Sequence, residues 1–586
     1  MALTINGTTS AVALISDTNN VGLGTNAVDS ITTGDHNTGI GVNSLTANTE
    51  GSSNVAMGRE SLDANTTGSE NTGIGYQALT SNTTASGNTA LGNKALQQST
   101  TAGYNVAVGW EAMKATTTGG YNVAVGYQAM VANTTGGNNV SIGDSTMEAN
   151  TTGSNNVAVG RGTFTANSTG SENTAVGKGS LDANTTADGN TSIGTNAMGE
   201  NTTGENNVAV GKTALTTNST GSKNVALGKS AMHFNTTGHS NTASGYESLV
   251  ANTTGAMNVA SGFRALHSNT TANSNNAFGF DALRYNTTGT ENNAFGYEAL
   301  KTVTTGVENT AVGHKALKAN TGDGNVAMGR EAMVANTSGG NNVGVGWQAL
   351  LDNTTGSQNV AVGQQSLRKC TTANYNTAVG SQALKTLTTA FNCVAVGYLA
   401  GSDVTSGQKL TCVGANAGDN MVGNANSMCL GHDARASSSN VDNQITLGDG
   451  NIDNLRCNDT SISGLSDERD KANIVDVPLG IDFLKTVRPV AFDWARRDGS
   501  MEGKKAFGFI AQELKVAANA TDYADHMRLV HEDNPDKLEA DPWKMFPVMV
   551  KAIQELSAKN DALETEIAAL KTKDDALEAR IAALEA

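Results

Sequence analysis

The chain has little proline, little charge and few aromatic side chains. Of its 586 residues five are proline, 16% are charged and 4% are aromatic. Its 67 glycines do not recur at every third position, which together with the scarce proline excludes a collagen-like helix. Disorder is argued against by 38% apolar residues and by the absence of long like-charge runs. No run approaches about 18 apolar residues, so neither a transmembrane helix nor membrane insertion is expected. The stretch from Met1 to Asn20 has no basic start and no apolar core, so no secretory signal is expected. Cys370, Cys393, Cys412, Cys429 and Cys457 are an odd set without CxxC spacing, which fits neither a disulfide scaffold nor a zinc site. No metal and no cofactor is expected. The net charge of −17 disfavours nucleic acid as a partner.

These averages conceal two different chains. After Leu465 about one residue in three is charged, and before it about one in nine. All five prolines follow that point, and all but four glycines precede it. The first part is a repeat. A glycine recurs every 17 residues from Gly24 to Gly313, slips once where Asn320-Thr321-Gly322 has lost a Thr, and resumes from Gly329 to Gly448. The cleanest unit runs from Asn122 to Asn138.

Within that unit Asn122-Val123-Ala124-Val125 is a β-branched run closed by Gly126, and reads as a strand apolar on both faces. The stretch after the glycine predicts a second strand or one helical turn. Asn-Thr-Thr-Gly is turn chemistry. Seventeen residues make one coil of a solenoid. Coils stacked at ~4.8 Å give a rod on the order of 125 Å. So small a coil encloses one core, and its second apolar strand face needs a partner surface. Self-association of parallel rods, most simply three-fold, supplies it.

The repeated residues read first as structure. Asn at the first and twelfth positions, such as Asn122 and Asn133, predicts hydrogen-bonded ladders rather than glycosylation sites. The recurring glycine is a backbone requirement rather than a phosphate cradle. Aromatic residues often follow it and suit packing between coils or subunits. Trp110, Trp347 and Tyr398 are also candidates for glycan contact. Cys412 and Cys429 take the usual Ala position and read as small buried residues. Scattered acids, with no repeated carboxylate pair, give no indication of a glycosidase site within a coil. From about residue 400 the Asn-Thr-Thr-Gly turn is lost, which marks either a specialised tip or a solenoid cap.

The chain ends in heptads. Leu556, Leu563, Leu570, Leu577 and Leu584 are seven apart, with Ile553, Asn560, Ile567, Asp574 and Ile581 three residues earlier in each heptad. This predicts a parallel coiled coil with two polar core positions. Between rod and heptads lie five blocks: Ser466–Ile474, Leu479–Leu484, Arg488–Trp494, Gly508–Leu514 and Phe546–Leu556. In this order they resemble the intramolecular chaperone domain of endosialidase tailspikes, also called the peptidase S74 domain, found at the C-terminus of many phage tail fibres and spikes. The stretch from Val516 to Trp543 departs from that pattern. The resemblance implies a domain that trimerises, drives folding of the fibre before it, and then cuts itself off before the Ser of an S-D-x-R-x-K motif. Here that Ser is Ser466 and the Lys is Lys471, so the implied scissile bond is Leu465–Ser466 and the implied dyad is Ser466 with Lys471. The repeat is also similar to the head repeats of trimeric autotransporter adhesins, though of different unit length.

The sequence therefore predicts a mainly β chain: a trimeric β-solenoid (β-roll or β-helix) rod, a small α/β chaperone domain and a C-terminal coiled coil. Its expected segments are an attachment segment 1–23, a shaft 24–399, degenerate repeats 400–465 as candidate tip, the chaperone domain 466–550 and the coiled coil 551–586. The expected function is that of a phage tail fibre, assembled in the host cytoplasm and carried on the virion. Its expected partners are further copies of itself, tail or baseplate proteins at the N-terminus, and a host surface receptor such as a glycan or outer-membrane component. A single-turnover autoprotease is the one activity expected, with none in the rod. The alternatives are a cellular adhesin with the same rod and a polysaccharide-degrading tailspike.

Overall fold

The computed structural model describes residues 12–15 as backbone, and residues 19–452, 456, 466–495, 502–532 and 538–586 in full. Cys457 and Leu465 lie outside the described residues. The chain divides into two units, Met1–Thr389 and Ala390–Ala586.

The first unit is a parallel β-solenoid. One three-residue strand per coil stacks directly on the next, as Val123–Val125 does between Val106–Val108 and Val140–Ile142. At its start Val12–Ile15 pairs antiparallel with Asn20–Leu23 and covers that strand's open edge. Asn20–Leu23 already stacks in register on Thr38–Ile40. At the shortened coil the register steps by 16, with Thr310 opposite Val326, and then resumes. One lost residue is absorbed within one turn, because each coil bonds only to its neighbours.

The strand buries only its middle residue. Ala124 is fully buried, while Val123 and Val125 keep part of their surface open. The rest of the core comes from Ala129 and Met130. These lie in neither a strand nor a helical turn, contrary to the sequence expectation. Gln128, Met130 and Asn138 are left-handed, with φ of 51°, 53° and 57°. Such a conformation costs an ordinary residue roughly 1–2 kcal/mol. Hydrogen bonds between coils offset it. The Gln128 N–H donates back to the Trp110 carbonyl and the Met130 N–H forward to the Thr146 carbonyl, each at 2.9 Å. The alternation turns the chain sharply and drives the Met130 side chain inward.

Gly126 needs to be glycine for two reasons. Its φ is 142°, and a Cβ there would lie 2.2 Å from the Gly143 carbonyl oxygen one coil on.

Both expected Asn ladders are present and buried. Asn122 Oδ1 accepts from the Asn139 backbone N–H at 2.9 Å and from Asn139 Nδ2 at 3.1 Å. Asn133 Oδ1 accepts from Asn150 Nδ2 at 2.9 Å, and Asn133 Nδ2 donates to the Gly136 carbonyl at 3.0 Å. The ladders satisfy amide groups that would otherwise be buried without partners. A non-Asn residue at the twelfth position can still take part, as Thr116 accepts from Asn133 Nδ2 at 3.4 Å, but two such positions break the ladder. The Oδ1 atoms of Asn82 and Asn286 are buried without a partner, and the next rungs are Ser99 and Val303. Ser99→Asn is expected to restore one rung, donating to Asn82 Oδ1 and the Ala102 carbonyl as its neighbours do. A gain of about 1 kcal/mol follows. The thermal midpoint at fixed scan rate should rise, and a lower midpoint would refute the account.

The second unit contains further coils and a small α/β body. Val394–Val396, Thr411–Val413, Met428–Leu430 and Ile445–Leu447 form a parallel stack. Cys412 and Cys429 are buried against Met421 Sδ, at 4.0 and 3.6 Å, as core residues. The α/β body has helices α1 (Ile481–Leu484), α2 (Ala511–Asn519) and α3 (Ala524–Met527), then α4 (Phe546–Glu585). Val490–Asp493 pairs antiparallel with Lys505–Gly508, and Val530–His531 with Glu539–Ala540. Helix α4 runs unbroken through residue 550, so body and heptads share one element.

Candidate functional site

The site begins from a small core. Phe483, Leu514, Met527, Leu529, Met545 and Val548 are buried together. Four of the five recognised blocks supply or brace this core. Arg488 and Glu513 join two of them through paired contacts of 3.0 and 2.5 Å. The arginine holds the Glu513 carboxyl below its usual range. The first turn of α1 is capped from α4, where Glu555 Oε2 accepts from the Ile481 N–H at 2.9 Å. Gly480 makes room for that carboxylate, since a Cβ there would lie 2.2 Å from Glu555 Oε2.

The fifth block, Ser466–Ile474, lies outside this core. Its residues are largely exposed, with Ile474 showing 63% of its surface. It is shaped locally. Glu468–Asp470 form a single tight helical turn, and the Asp467 carboxylate accepts from the Arg469 N–H at 2.9 Å. The Arg469 guanidinium then clamps both Asp467 oxygens, at 3.0 and 2.5 Å. These bonds hold the Asp467 carboxyl below its usual range. The turn closes with the Lys471 N–H on the Glu468 carbonyl at 3.1 Å. Lys471 thereby folds back on the residue five before it. Its Nζ donates to Ser466 Oγ at 2.6 Å and to the Ser466 carbonyl at 3.3 Å.

The structure therefore brings Ser466 and Lys471 into direct contact. Ser466 does not cap the turn, because Asp467 does. The sequence reading gave no role to Asp467 and Arg469. The signal was available, since an Asp followed two residues later by Arg can cap a turn and clamp it.

Trp110 and Trp347 lie in widely separated coils of the first unit and do not converge, and Tyr398 belongs to the second unit. Each follows the marker glycine of its own coil and is 41%, 43% and 54% exposed. The Trp110 ring stacks on Tyr127 with centroids 4.9 Å apart. Tyr246, Phe263, Phe280, Tyr297 and His314 form a longer stack at 5.0–5.3 Å. Rings stacked this way cover one another's faces, leaving their edges for any partner. Among the described residues no group of three or more His, Cys, Asp or Glu could hold a metal ion, and no helix is long and apolar enough to cross a membrane.

Residues 466–525 match the family model Peptidase_S74, chaperone of endosialidase. The chain thus joins a β-solenoid to a domain of the endosialidase-chaperone class, and the match starts at Ser466. It ends within the stretch after Val516 that departs from the expected pattern. No curated protein matches the chain. No solved structure matches it either.

Proposed function

We propose that this protein is a homotrimeric phage tail fibre whose C-terminal domain aligns three chains and then severs itself between Leu465 and Ser466. The observation that carries the reading is the 2.6 Å contact between Lys471 Nζ and Ser466 Oγ, at the first residue of a matched chaperone domain. With Lys471 neutral, the contact reverses and the Ser hydroxyl donates its proton to Nζ. Oγ then attacks the Leu465 carbonyl carbon. The C–N bond to Ser466 breaks as its nitrogen takes up the proton, leaving an ester between Leu465 and Ser466 Oγ. Water hydrolyses the ester, giving a Leu465 carboxylate and restoring the Ser hydroxyl. A lysine becomes such a base when desolvated. In one copy the turn faces solvent, so further copies would have to cover it, which makes cleavage follow assembly.

Exposed apolar groups support trimerisation. Leu556, Leu563, Leu570 and Leu577 are 55–60% exposed along α4, and Phe507 and Trp543 are 91% and 81% exposed. A helix with such a seam is covered only by partner helices. On this reading the N-terminal end attaches to tail or baseplate proteins. The segment 400–465 becomes the exposed end that meets a host surface receptor. The particle is assembled in the host cytoplasm.

A chaperone has a physical task here. Near-identical coils allow chains to align 17 residues out of phase at little cost. Light scattering on the full chain and on a chain ending at Leu465 tests this role. The full chain should form trimers, while the shortened one should aggregate or stay monomeric. Equal trimer yields from both would overturn it.

A further inference from the structure

In every coil the residues flanking the buried strand centre point outward. In the first unit, from Thr38–Ile40 to Thr377–Val379, none of these flanking residues is charged. The same holds in the second unit from Val394–Val396 to Ile445–Leu447. Solvent alone does not impose that pattern. Two residues further on, at the position after the marker glycine, charge is freely used, as in Arg59, Asp144, Arg161 and Lys178. The third strand residue is apolar throughout except at Ser244 and Ser261. It is also substantially open, with Leu91 and Met328 at 45% and Ile142 at 40%.

Because the strands stack in register, these side chains form a continuous column within the first unit. Ten of them there are 36–45% exposed, so the open apolar area is on the order of 1,000 Å². That exceeds both the ~800 Å² per partner of a stable interface and the few hundred Å² common on monomers.

We infer that this uncharged strand face is the surface along which copies of the chain pack, side by side and in register. The inference rests on the homotrimer reading and gives it a location. A second copy is the occupant that fits, because a partner must present an apolar residue at every strand spacing over many coils. The parallel heptad of α4 orders the copies in the same direction. The column also carries its own register mark. Ser244 and Ser261 are followed by Phe278 and Phe295, whose rings stack at 5.0 Å. In register, Phe278 meets Phe278 of its partners, whereas a slip of one coil sets it against Ser261.

Cysteine cross-linking tests the inference. Cys370, Cys393, Cys412 and Cys429 are buried, and burial pushes the Cys370 and Cys412 thiols up to about 12, so they do not interfere. Full chains would carry Cys457→Ser together with either Val125→Cys on the strand face or Thr135→Cys in the exposed turn of the same coil. Val159→Cys gives a second strand-face variant should Val125→Cys fail to fold. After mild oxidation and non-reducing electrophoresis, the strand-face variants should give a cross-linked pair of chains, and Thr135→Cys should stay single. Mixing tagged Val125→Cys chains with Ile142→Cys chains, one coil further on, before assembly should give no mixed pair. A trimer by light scattering in which the strand-face variants stay single, or in which Thr135→Cys links as well as they do, overturns the face assignment but leaves the trimer. Mixed pairs overturn the register. A monomer by light scattering overturns the homotrimer reading and this inference together.

Discussion

Ser466→Ala is expected to leave one intact chain on a denaturing gel, where the wild type is expected to give one fragment ending at Leu465 and another beginning at Ser466. The substitution removes the proposed nucleophile and disturbs little else. Ser466 lies outside the buried cluster around Phe483 and Leu514, so the domain should fold as before. Lys471 separates nucleophile from base. Lys471→Met keeps Oγ but removes the proton acceptor, and should slow cleavage by about 10²–10⁴-fold. Lys471→Arg keeps a positive charge within reach of Ser466 but cannot become a neutral base, so it should fail similarly. A fragment pair from Ser466→Ala at the wild-type rate would show that another group cuts the chain. Cleavage by Lys471→Arg at that rate would remove the base role from Lys471.

The largest structural effect is expected from Gly126→Val. The backbone there has φ of 142°, which side-chain-bearing residues rarely adopt, and a Cβ would lie 2.2 Å from the carbonyl oxygen of Gly143. Both the coil and its neighbour would have to move, and the strand bonds between them would open. A cost of about 4 kcal/mol or more belongs to this kind of lesion. In a linear array the damage is local but divides the stack, because each coil is held only by its neighbours. Limited proteolysis should therefore cut near residue 126 in the variant and spare that site in the wild type. Gly162→Asn is the control. Gly162 has φ of 56° and a Cβ there would meet nothing within 4 Å. It stands where Gln128 stands in its own coil, at φ of 51°. That variant should resist proteolysis as the wild type does, and a cut at 162 as readily as at 126 would sink the steric account.

Much of the rod was legible because the chain repeats itself. A residue used once says little, but Asn at the same two positions of coil after coil pointed to ladders, and Asn122, Asn133, Asn139 and Asn150 form them. The lost Thr near Asn320 predicted a one-residue slip, and Thr310 does pair with Val326. The second half of each coil was not legible. Nothing local favours a left-handed Met130, because the bond that holds it comes from Thr146 in the next coil. The strand faces were half legible. The pattern showed that both are apolar, but Ala124 is enclosed by its own coil while Val123 and Val125 are not.

The sequence by itself determined the 17-residue period, the place of each strand, the composition boundary after Leu465 and the candidate pair Ser466 and Lys471. These follow from spacing and residue type, which local chemistry constrains. Only the tertiary structure decided which strand face a single chain encloses, and how its coils turn. It also decided that the clamp of Arg469 on Asp467 folds Lys471 back to within 2.6 Å of Ser466. Each of these depends on which groups meet across a turn or between coils, and those meetings offset conformations that no residue would adopt alone.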